Sequence, residues 1–469
     1  MKLWDTLKES MLRFPDREIR EGEACITYEE MAVFAELFAC KMAGIRCCAI
    51  LCRSELAAAM ALLSCFAGGI TAVPLSHRYG EAHERKILET ISPEAVITDD
   101  NGSFQIHLIK KYTYRPPKHP PALIMCTSGT TGTPKGVMLS EKNIQTAVLN
   151  VTDYFGIGRE DTVLITRPLY HCAVLTGEFL TALRKGCCIR FYSGVFSPQV
   201  ILQMIDRYRI TVFGGTPTML AMMARFNRKR SAETLRHISI SGESMSRDSG
   251  KKIAEAFPNA AVYYVYGLTE ASPRVSYLPP ELFPAYGDYV GIPVRSVTVR
   301  IEKNDGTAAK TGEEGTLWIK GENVMMGYYR DSAATGKVLR NGWLCTGDIA
   351  VLTEKGLLKI KGRRDGLIIR AGMNIYPQEI EFALQSDPRV KEVMAYGIRD
   401  ADEGMRIGLK AAGDFTSADE VREICAARLP AYQMPSVIEI IKELEKNASG
   451  KIKRTYAPVS RQSERGKDI

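Results

Sequence analysis

The sequence predicts an α/β fold: a large N-terminal domain of layered helices and sheets, residues 1–364, followed by a small α+β domain, residues 365–469. Three observations carry this. Helical and strand patterns alternate through most of the chain, and repeated units of that kind imply sheets with helices packed on their faces. From Val297 the pattern changes to short strands and turns, including Val297–Glu302 and Gly315–Lys320. Beyond the strand Leu357–Lys361, the remainder carries two helical segments, Pro377–Leu384 and Ala418–Arg428, and its tail from Arg461 is polar. A length of 469 residues, at roughly 150 per domain, agrees with two or three domains.

In chain order, Thr27-Tyr28-Glu29-Glu30 opens an amphipathic helix through Ala43, and Cys48–Leu51 is a short apolar strand. Leu56–Leu75 contains no charge and is about long enough to span a bilayer. It is alanine-rich and broken by Ser64, Gly68-Gly69 and Pro74. Its insertion energy would be weak, so the expected structure is a buried helix, Leu56–Phe66, and a strand, Ile70–Val73. A helix over Ala82–Thr90 and a strand over Ala95–Ile97 follow. The Pro-rich stretch Arg115–Pro121 reads as part of a short connector over residues 101–120, leading into the strand Ala122–Cys126.

Hydrophobic residues make up 45% and charged residues 25%, as in globular proteins, which argues against disorder. Lysine plus arginine outnumber aspartate plus glutamate by 62 to 54, a net charge of +8. That is too mild and too dispersed for a dedicated nucleic-acid binder, and a compact polyanion such as a nucleotide is the better match. The twelve cysteines form no CxxC pair, and Cys47, Cys48 and Cys52 have no nearby histidine to complete a zinc set. Many unpaired thiols imply a reducing compartment, hence the cytoplasm. Met1 to Glu18 mixes charges with apolar residues and lacks the apolar core of a signal peptide.

The chemistry concentrates in a few strings. Thr127-Ser128-Gly129-Thr130-Thr131-Gly132-Thr133-Pro134-Lys135-Gly136 follows an apolar strand. Small hydroxyl residues and glycines let backbone N–H groups converge on phosphate oxygens, and Lys135 adds positive charge. The string does not match GxxxxGK[ST], and the next segment, Gly136–Leu139, reads as a strand rather than a helix; Ser140 is a plausible N-cap. Tyr266-Gly267-Leu268-Thr269-Glu270 follows an aromatic strand, Val262–Val265, and offers a hydroxyl and a carboxylate, ligands suited to phosphate and Mg²⁺. Alone, this pentapeptide would equally be an ordinary turn. Ser241-Gly242-Glu243-Ser244, Trp343-Leu344-Cys345-Thr346-Gly347-Asp348, Gly362-Arg363-Arg364-Asp365 and Asn447-Ala448-Ser449-Gly450-Lys451 complete the series.

In this order the blocks resemble those of the adenylate-forming superfamily: acyl-CoA synthetases, adenylation domains of peptide synthetases, and luciferases. The resemblance runs from Thr27-Tyr28-Glu29 to Gly450-Lys451. It implies αβαβα-type subdomains and a small β-rich subdomain in the large domain, with the C-terminal domain acting as a mobile lid. It further implies that Thr127, Ser128, Gly129, Thr130, Thr131 and Gly132 hold the pyrophosphate portion of ATP, with Lys135 as a catalytic charge. Thr269 would contact the α-phosphate, and Glu270 would help hold magnesium, with Tyr266 and Gly267 beside them. Gly242, Glu243 and Ser244 would lie along the adenine and border the acyl pocket, and Asp348 and Arg363 would hold the ribose. Asp365 would be the hinge, Lys451 the lysine that swings in to bind carboxylate and α-phosphate, and Ala371-Gly372 would face the thiol channel. The family often has two glycines at that last point, so Ala371 departs slightly from it.

The reaction implied has two halves. A carboxylate attacks the α-phosphorus of ATP, giving acyl-adenylate and pyrophosphate; a thiol then attacks the adenylate carbonyl, giving thioester and AMP. Pro168-Leu169-Tyr170-His171-Cys172 matches the block that opens the acyl pocket. His171 is expected in the pocket wall or as a gate. Amino-acid-activating relatives place an aspartate where Cys172 stands, and Val174 replaces a frequent glycine. Both point to a compact aryl or short-to-medium aliphatic acid rather than an α-amino acid. The thiol is that of coenzyme A or of phosphopantetheine on a separate carrier protein. The other expected partners are ATP with Mg²⁺, without nucleic acid or a membrane span, for a monomer or homodimer. Two readings of other classes are a nucleotide-binding protein without catalysis, and a phosphotransferase, which would release ADP instead of AMP.

Overall fold

The computed structural model describes residues 2–77, 81–100, 103–128, 134–227, 232–370, 373–400 and 404–446, with Ile452 and Arg454. The sequence-predicted residues Gly129, Thr130, Thr131, Gly132, Ala371, Gly372 and Lys451 lie outside these. The chain forms two compact units. One comprises Met1–Arg300, Trp318–Thr346 and Leu352–Lys359; the other comprises Ile301–Leu317, Gly347–Val351 and Ile360–Ile469.

The first unit contains two large sheets. In the seven-stranded one the order is Gly327–Tyr328, Pro134–Leu139, Leu123–Ser128, Thr71–Pro74, Cys47–Ile50, Ala95–Asp100 and Ser103–Leu108. Helix Tyr28–Lys41 begins with a reciprocal cap: the Thr27 side chain accepts from Glu30 N–H, and the Glu30 carboxylate accepts from Thr27 N–H at 2.8 Å. The uncharged stretch resolves into helix Glu55–Gly68 and the fully buried strand Thr71–Pro74. Among the described residues no helix is long and apolar enough to cross a membrane. The expected connector over residues 101–120 instead contains the edge strand Ser103–Leu108, paired antiparallel with Ala95–Asp100. Its alternation of polar and apolar residues carries the period of a half-buried strand.

The hairpin Leu123–Ser128/Pro134–Leu139 sets Thr127 directly opposite Lys135 and Cys126 opposite Gly136. Gly136 is there for space: a β-carbon on it would lie 2.7 Å from Ile91 Cδ1 and 2.9 Å from Ile124 Cγ2.

The nine-stranded sheet runs Ile292–Pro293, Arg274–Leu278, Ala261–Gly267, His237–Ile240, Val212–Gly215, Thr162–Ile165, Cys188–Phe191, Glu18–Glu21 and Ala24–Thr27. From Ala261–Gly267 to Glu18–Glu21 the pairing is parallel. Ligand crevices in such sheets form at the carboxyl ends of the strands, where the segments after Ile165, Gly215, Ile240 and Gly267 gather. Helix Leu3–Arg13, which the sequence pattern did not separate from its charged surroundings, buries Leu3, Trp4, Leu7 and Met11.

A five-stranded sheet contains Val297–Glu302, Glu314–Gly321, Trp343–Leu352, Leu339–Arg340 and Leu358–Arg363. In the second unit, Val390–Asp400 pairs antiparallel with Gly404–Gly413, which pairs parallel with Val437–Ile440. Helices Pro377–Gln385 and Ala418–Arg428 supply Ile380, Leu384, Val421 and Ile424 to a core shared with Val393, Ile407 and Leu409.

Candidate active site

In the first unit, three of the predicted strings are tied together by a residue the sequence did not flag. The short strand Gly327–Tyr328 pairs antiparallel with Val137 and Met138, next to Lys135. Lys135 Nζ sits 4.9 Å from the centre of the Tyr328 ring, within cation–π range. The Tyr328 hydroxyl donates to Glu270 Oε1 at 2.9 Å. One aromatic side chain therefore links Lys135 to Glu270, the predicted phosphate-loop lysine to the predicted magnesium carboxylate. Tyr328 lies in an apolar Gly-Tyr-Tyr run, which carries no chemical signal in the sequence.

The Glu270 loop is held by backbone fit. Gly267 ends the strand Ala261–Gly267, and a β-carbon there would lie 2.1 Å from the Pro273 carbonyl oxygen. Leu268 N–H donates to that same oxygen at 3.0 Å. Only glycine lets the loop close this tightly. Thr269, Glu270 and Ala271 form a 3₁₀ turn. Buried Asn323 then donates to Ala271 O at 2.7 Å and Arg274 O at 2.9 Å, while Ser272 Oγ donates to Asn323 O at 2.7 Å. Met325 N–H donates to Glu270 O at 2.9 Å, so residues 323–328 support the loop throughout.

The segment predicted to border the adenine leaves the strand His237–Ile240. Ser241 N–H donates to Gly215 O at 3.0 Å, and Gly242 has a left-handed φ of 95°. Glu243 is engaged rather than free: its carboxylate accepts from Thr218 Oγ1 at 2.7 Å, and its carbonyl accepts from Tyr264 Oη at 3.0 Å. Ser244 is exposed, and Tyr266 is half-buried at the end of its strand.

His171 caps the short helix Cys172–Val174, its ring 4.3 Å from that of Tyr170. Cys172 and Val174 are buried. Burial pushes the Cys172 thiol up to about 12, so it is uncharged at neutral pH. Thr176 Oγ1 donates to both Cys172 O and Ser272 O, at 2.9 and 2.8 Å, joining this helix to the Glu270 loop.

Within the second unit, Arg363 donates from Nη1 to Asp348 Oδ1 and from Nε to Asp365 Oδ1, both at 3.3 Å. Asp348 is buried and Asp365 exposed. Either side of residues 447–451 is anchored: Lys446 and Ile452 form an antiparallel bridge. Arg454 makes a two-pronged pair with buried Glu381, at 2.7 and 2.6 Å. Glu381 also accepts from Ala395 N–H at 2.9 Å, and Glu392 accepts from Leu444 N–H at 2.7 Å and pairs with Lys446. Among the described residues no group of three or more His, Cys, Asp or Glu side chains could hold a metal ion by itself. Glu270 has one carboxylate oxygen bonded to Tyr328, and as a hard oxygen ligand it is the residue that would hold Mg²⁺.

Residues 7–329 match the family described as AMP-binding enzyme, and residues 379–451 match the AMP-binding enzyme C-terminal domain. The 2-succinylbenzoate–CoA ligase of Bacillus subtilis (strain 168) is 30% identical over 477 residues, covering 94% of this chain and 95% of that protein. A long-chain-fatty-acid–CoA ligase of Haemophilus influenzae is 32% identical over 348 residues, which are 71% of this chain but only 60% of that protein. Solved structures of the Bacillus subtilis o-succinylbenzoate coenzyme A synthetase superpose well. The complex with the acyl-adenylate intermediate gives a TM-score of 0.84 at 28% identity, over 96% of this chain and 97% of that one. The complex with ATP and magnesium gives 0.83 at 27%, over 96% and 98%. The Lys135 hairpin and the glycine-closed Glu270 turn thus coincide with matches to both parts of one family, and the chain belongs to the AMP-binding enzymes.

Proposed function

We propose that this chain joins a carboxylic acid to the thiol of coenzyme A with cleavage of ATP to AMP and pyrophosphate. The observation that carries the reading is the Lys135–Tyr328–Glu270 cluster at the mouth of the phosphate-loop hairpin. It places a cation and a carboxylate together, as needed to receive a triphosphate with its metal. In the first half-reaction the substrate carboxylate oxygen attacks the α-phosphorus and pyrophosphate leaves. In the second, the thiol sulfur displaces AMP from the acyl carbon. The first brings two anions together, so catalysis here is charge neutralisation and positioning.

Bound Mg²⁺, held through Glu270, would supply charge neutralisation at the phosphates. Lys135 and the 127–132 loop would hold the pyrophosphate portion, and Thr269 the α-phosphate. Gly242–Ser244 would flank the adenine, Tyr266 and Gly267 would stand beside the Thr269 and Glu270 contacts, and Asp348 and Arg363 would take the ribose hydroxyls. We assign residues 1–364 to the adenylation domain and 365–469 to a lid that turns at Asp365, bringing first Lys451 and then Ala371-Gly372 to the chemistry. The superpositions with the acyl-adenylate and ATP–magnesium complexes support these assignments.

His171, Cys172 and Val174 would line the acyl pocket. The neutral Cys172 thiol cannot pair with a substrate ammonium, and buried Val174 leaves less room than glycine would. The substrate is thus a compact aryl or short-to-medium aliphatic acid, not an α-amino acid. The full-length match to a CoA ligase favours coenzyme A over a carrier-bound phosphopantetheine. The twelve unpaired thiols suit the cytoplasm, for a monomer or homodimer.

The test is a panel of carboxylic acids in an ATP–pyrophosphate exchange assay, followed by CoA or a loaded carrier protein. Acid-dependent exchange with AMP release is the expected result; ADP release, or no acid-dependent exchange across the panel, would overturn the reading. Tyr328→Phe keeps the ring over Lys135 but removes the bond to Glu270. We expect KM for Mg·ATP to rise about three- to tenfold, with half-saturating magnesium rising in parallel, from loss of one hydrogen bond to a charged group.

A further inference from the structure

The segments that form the proposed acyl pocket also hold a buried ion pair that activation does not require. Arg167 follows the strand Thr162–Ile165, and Ser241 follows His237–Ile240, with Val212–Gly215 between them in the sheet. Arg167 spans that middle strand: Nη1 donates to Ser241 Oγ at 3.2 Å, and Nη2 donates to Glu178 Oε1. Glu178 comes from the π-helical turn Leu175–Phe179, which continues the Cys172–Val174 helix. Its carboxylate fills the space above Gly214, where a β-carbon would fall 2.4 Å from Oε1. The side chains of Arg167 and Glu178 are only 13% and 3% exposed.

Two polar atoms of this ion pair are left over. Arg167 Nε and Glu178 Oε2 are buried with no hydrogen-bond partner among the described residues. Buried polar atoms cost stability unless something satisfies them, so an orphaned set marks a place where a partner from outside the chain belongs. The chemistry of that partner follows from what is free. Arg167 and Glu178 balance one another, and what they leave unpaired is one donor and one acceptor side by side. A hydroxyl both donates and accepts, which matches Glu178 Oε2 as acceptor and Arg167 Nε as donor.

We propose that Arg167 and Glu178 are specificity-determining residues that select acids carrying an uncharged hydroxyl at the end remote from the reacting carboxylate. This rests on the acyl-CoA ligase reading and deepens it. Such a site gains when the hydroxyl arrives and leaves its own buried groups unpaired when a plain hydrocarbon does. Its pairing with Ser241 also ties recognition of the acid to the segment proposed to border the adenine.

Matched acids test this in pyrophosphate exchange with the full chain: 4-hydroxycinnamate against cinnamate, and 6-hydroxyhexanoate against hexanoate. The native protein should favour the hydroxylated member of at least one pair by about tenfold or more in kcat/KM. The double variant Arg167→Met/Glu178→Leu should reverse that preference with little change in KM for ATP, since an apolar pair of similar volume can replace a buried ion pair without unfolding the protein. Glu178→Gln, which keeps the shape and one acceptor, should retain part of the preference, and it serves if the double variant does not fold. Equal or better use of the plain acids by the native protein, or an undiminished hydroxyl preference in the variants, overturns the assignment while leaving the ligase reading intact. Absence of exchange with every acid overturns both.

Discussion

Lys451→Ala is expected to reduce acid-dependent ATP–pyrophosphate exchange by about 100-fold or more, the scale for loss of one preorganised charge partner in a transition state. The same variant should still convert supplied acyl-adenylate and CoA to thioester and AMP. The contrast follows from charge. Adenylation brings a carboxylate to a phosphate, and a flexible ammonium that reaches both removes their repulsion. Thiol attack on a neutral acyl carbon needs no such group. Measuring both half-reactions on one preparation separates the roles; normal exchange would remove Lys451 from the mechanism, and equal loss in both halves would point to a folding defect.

Arg454→Ala should be the most damaging single change in the second unit. It leaves Glu381, 4% exposed, with its charge facing the core and only the Ala395 N–H to receive it. Breaking a buried pair in this way costs about 3–5 kcal/mol. The pH dependence has a definite sign. Burial already pushes the Glu381 carboxyl up, against the pull of Arg454 and the Ala395 N–H, and removing Arg454 raises it further. A carboxyl whose folded pKa lies above its unfolded value of about 4.3 favours folding while protonated, and that advantage is lost as pH rises through the folded pKa. The deficit in melting temperature of the variant should therefore be small at acid pH and widen between pH 5 and pH 8. Because Arg454 and the Lys446–Ile452 bridge anchor both sides of residues 447–451, exchange activity should fall with it even below the melting transition. A variant with native stability would show that the Glu381 pair is not a structural anchor.

Much of this architecture was legible from local signals. Thr27 followed by Glu30 announced a capped helix start, Ser140 a second one, and the uncharged stretch from Leu56 read as helix and strand because Gly68-Gly69 and Pro74 interrupt it. Ser103–Leu108 was missed because an edge strand is defined by its partner, and the nearby prolines suggested a connector. The site divided the same way. Lys135, Glu270 and Asp348 stand in dense strings whose composition betrays them. Tyr328, Asn323 and Arg167 act through contacts made across long stretches of chain, such as the 58 positions between Tyr328 and Glu270 and the 74 between Arg167 and Ser241, while Glu178 meets Arg167 from a helix turn 11 positions on. A phenol in an apolar run and a lone arginine before a proline have no local pattern that would single them out.

The crowding at Gly136 has a bearing on how the Lys135 hairpin reaches its native pairing. A slip of one residue would bring Lys135 or Val137 into a space that lacks room even for a β-carbon, and would turn Lys135 to the opposite face from Tyr328. Misaligned hairpins thus meet a steric penalty before any ligand is present. The lysine thereby keeps its address opposite Thr127.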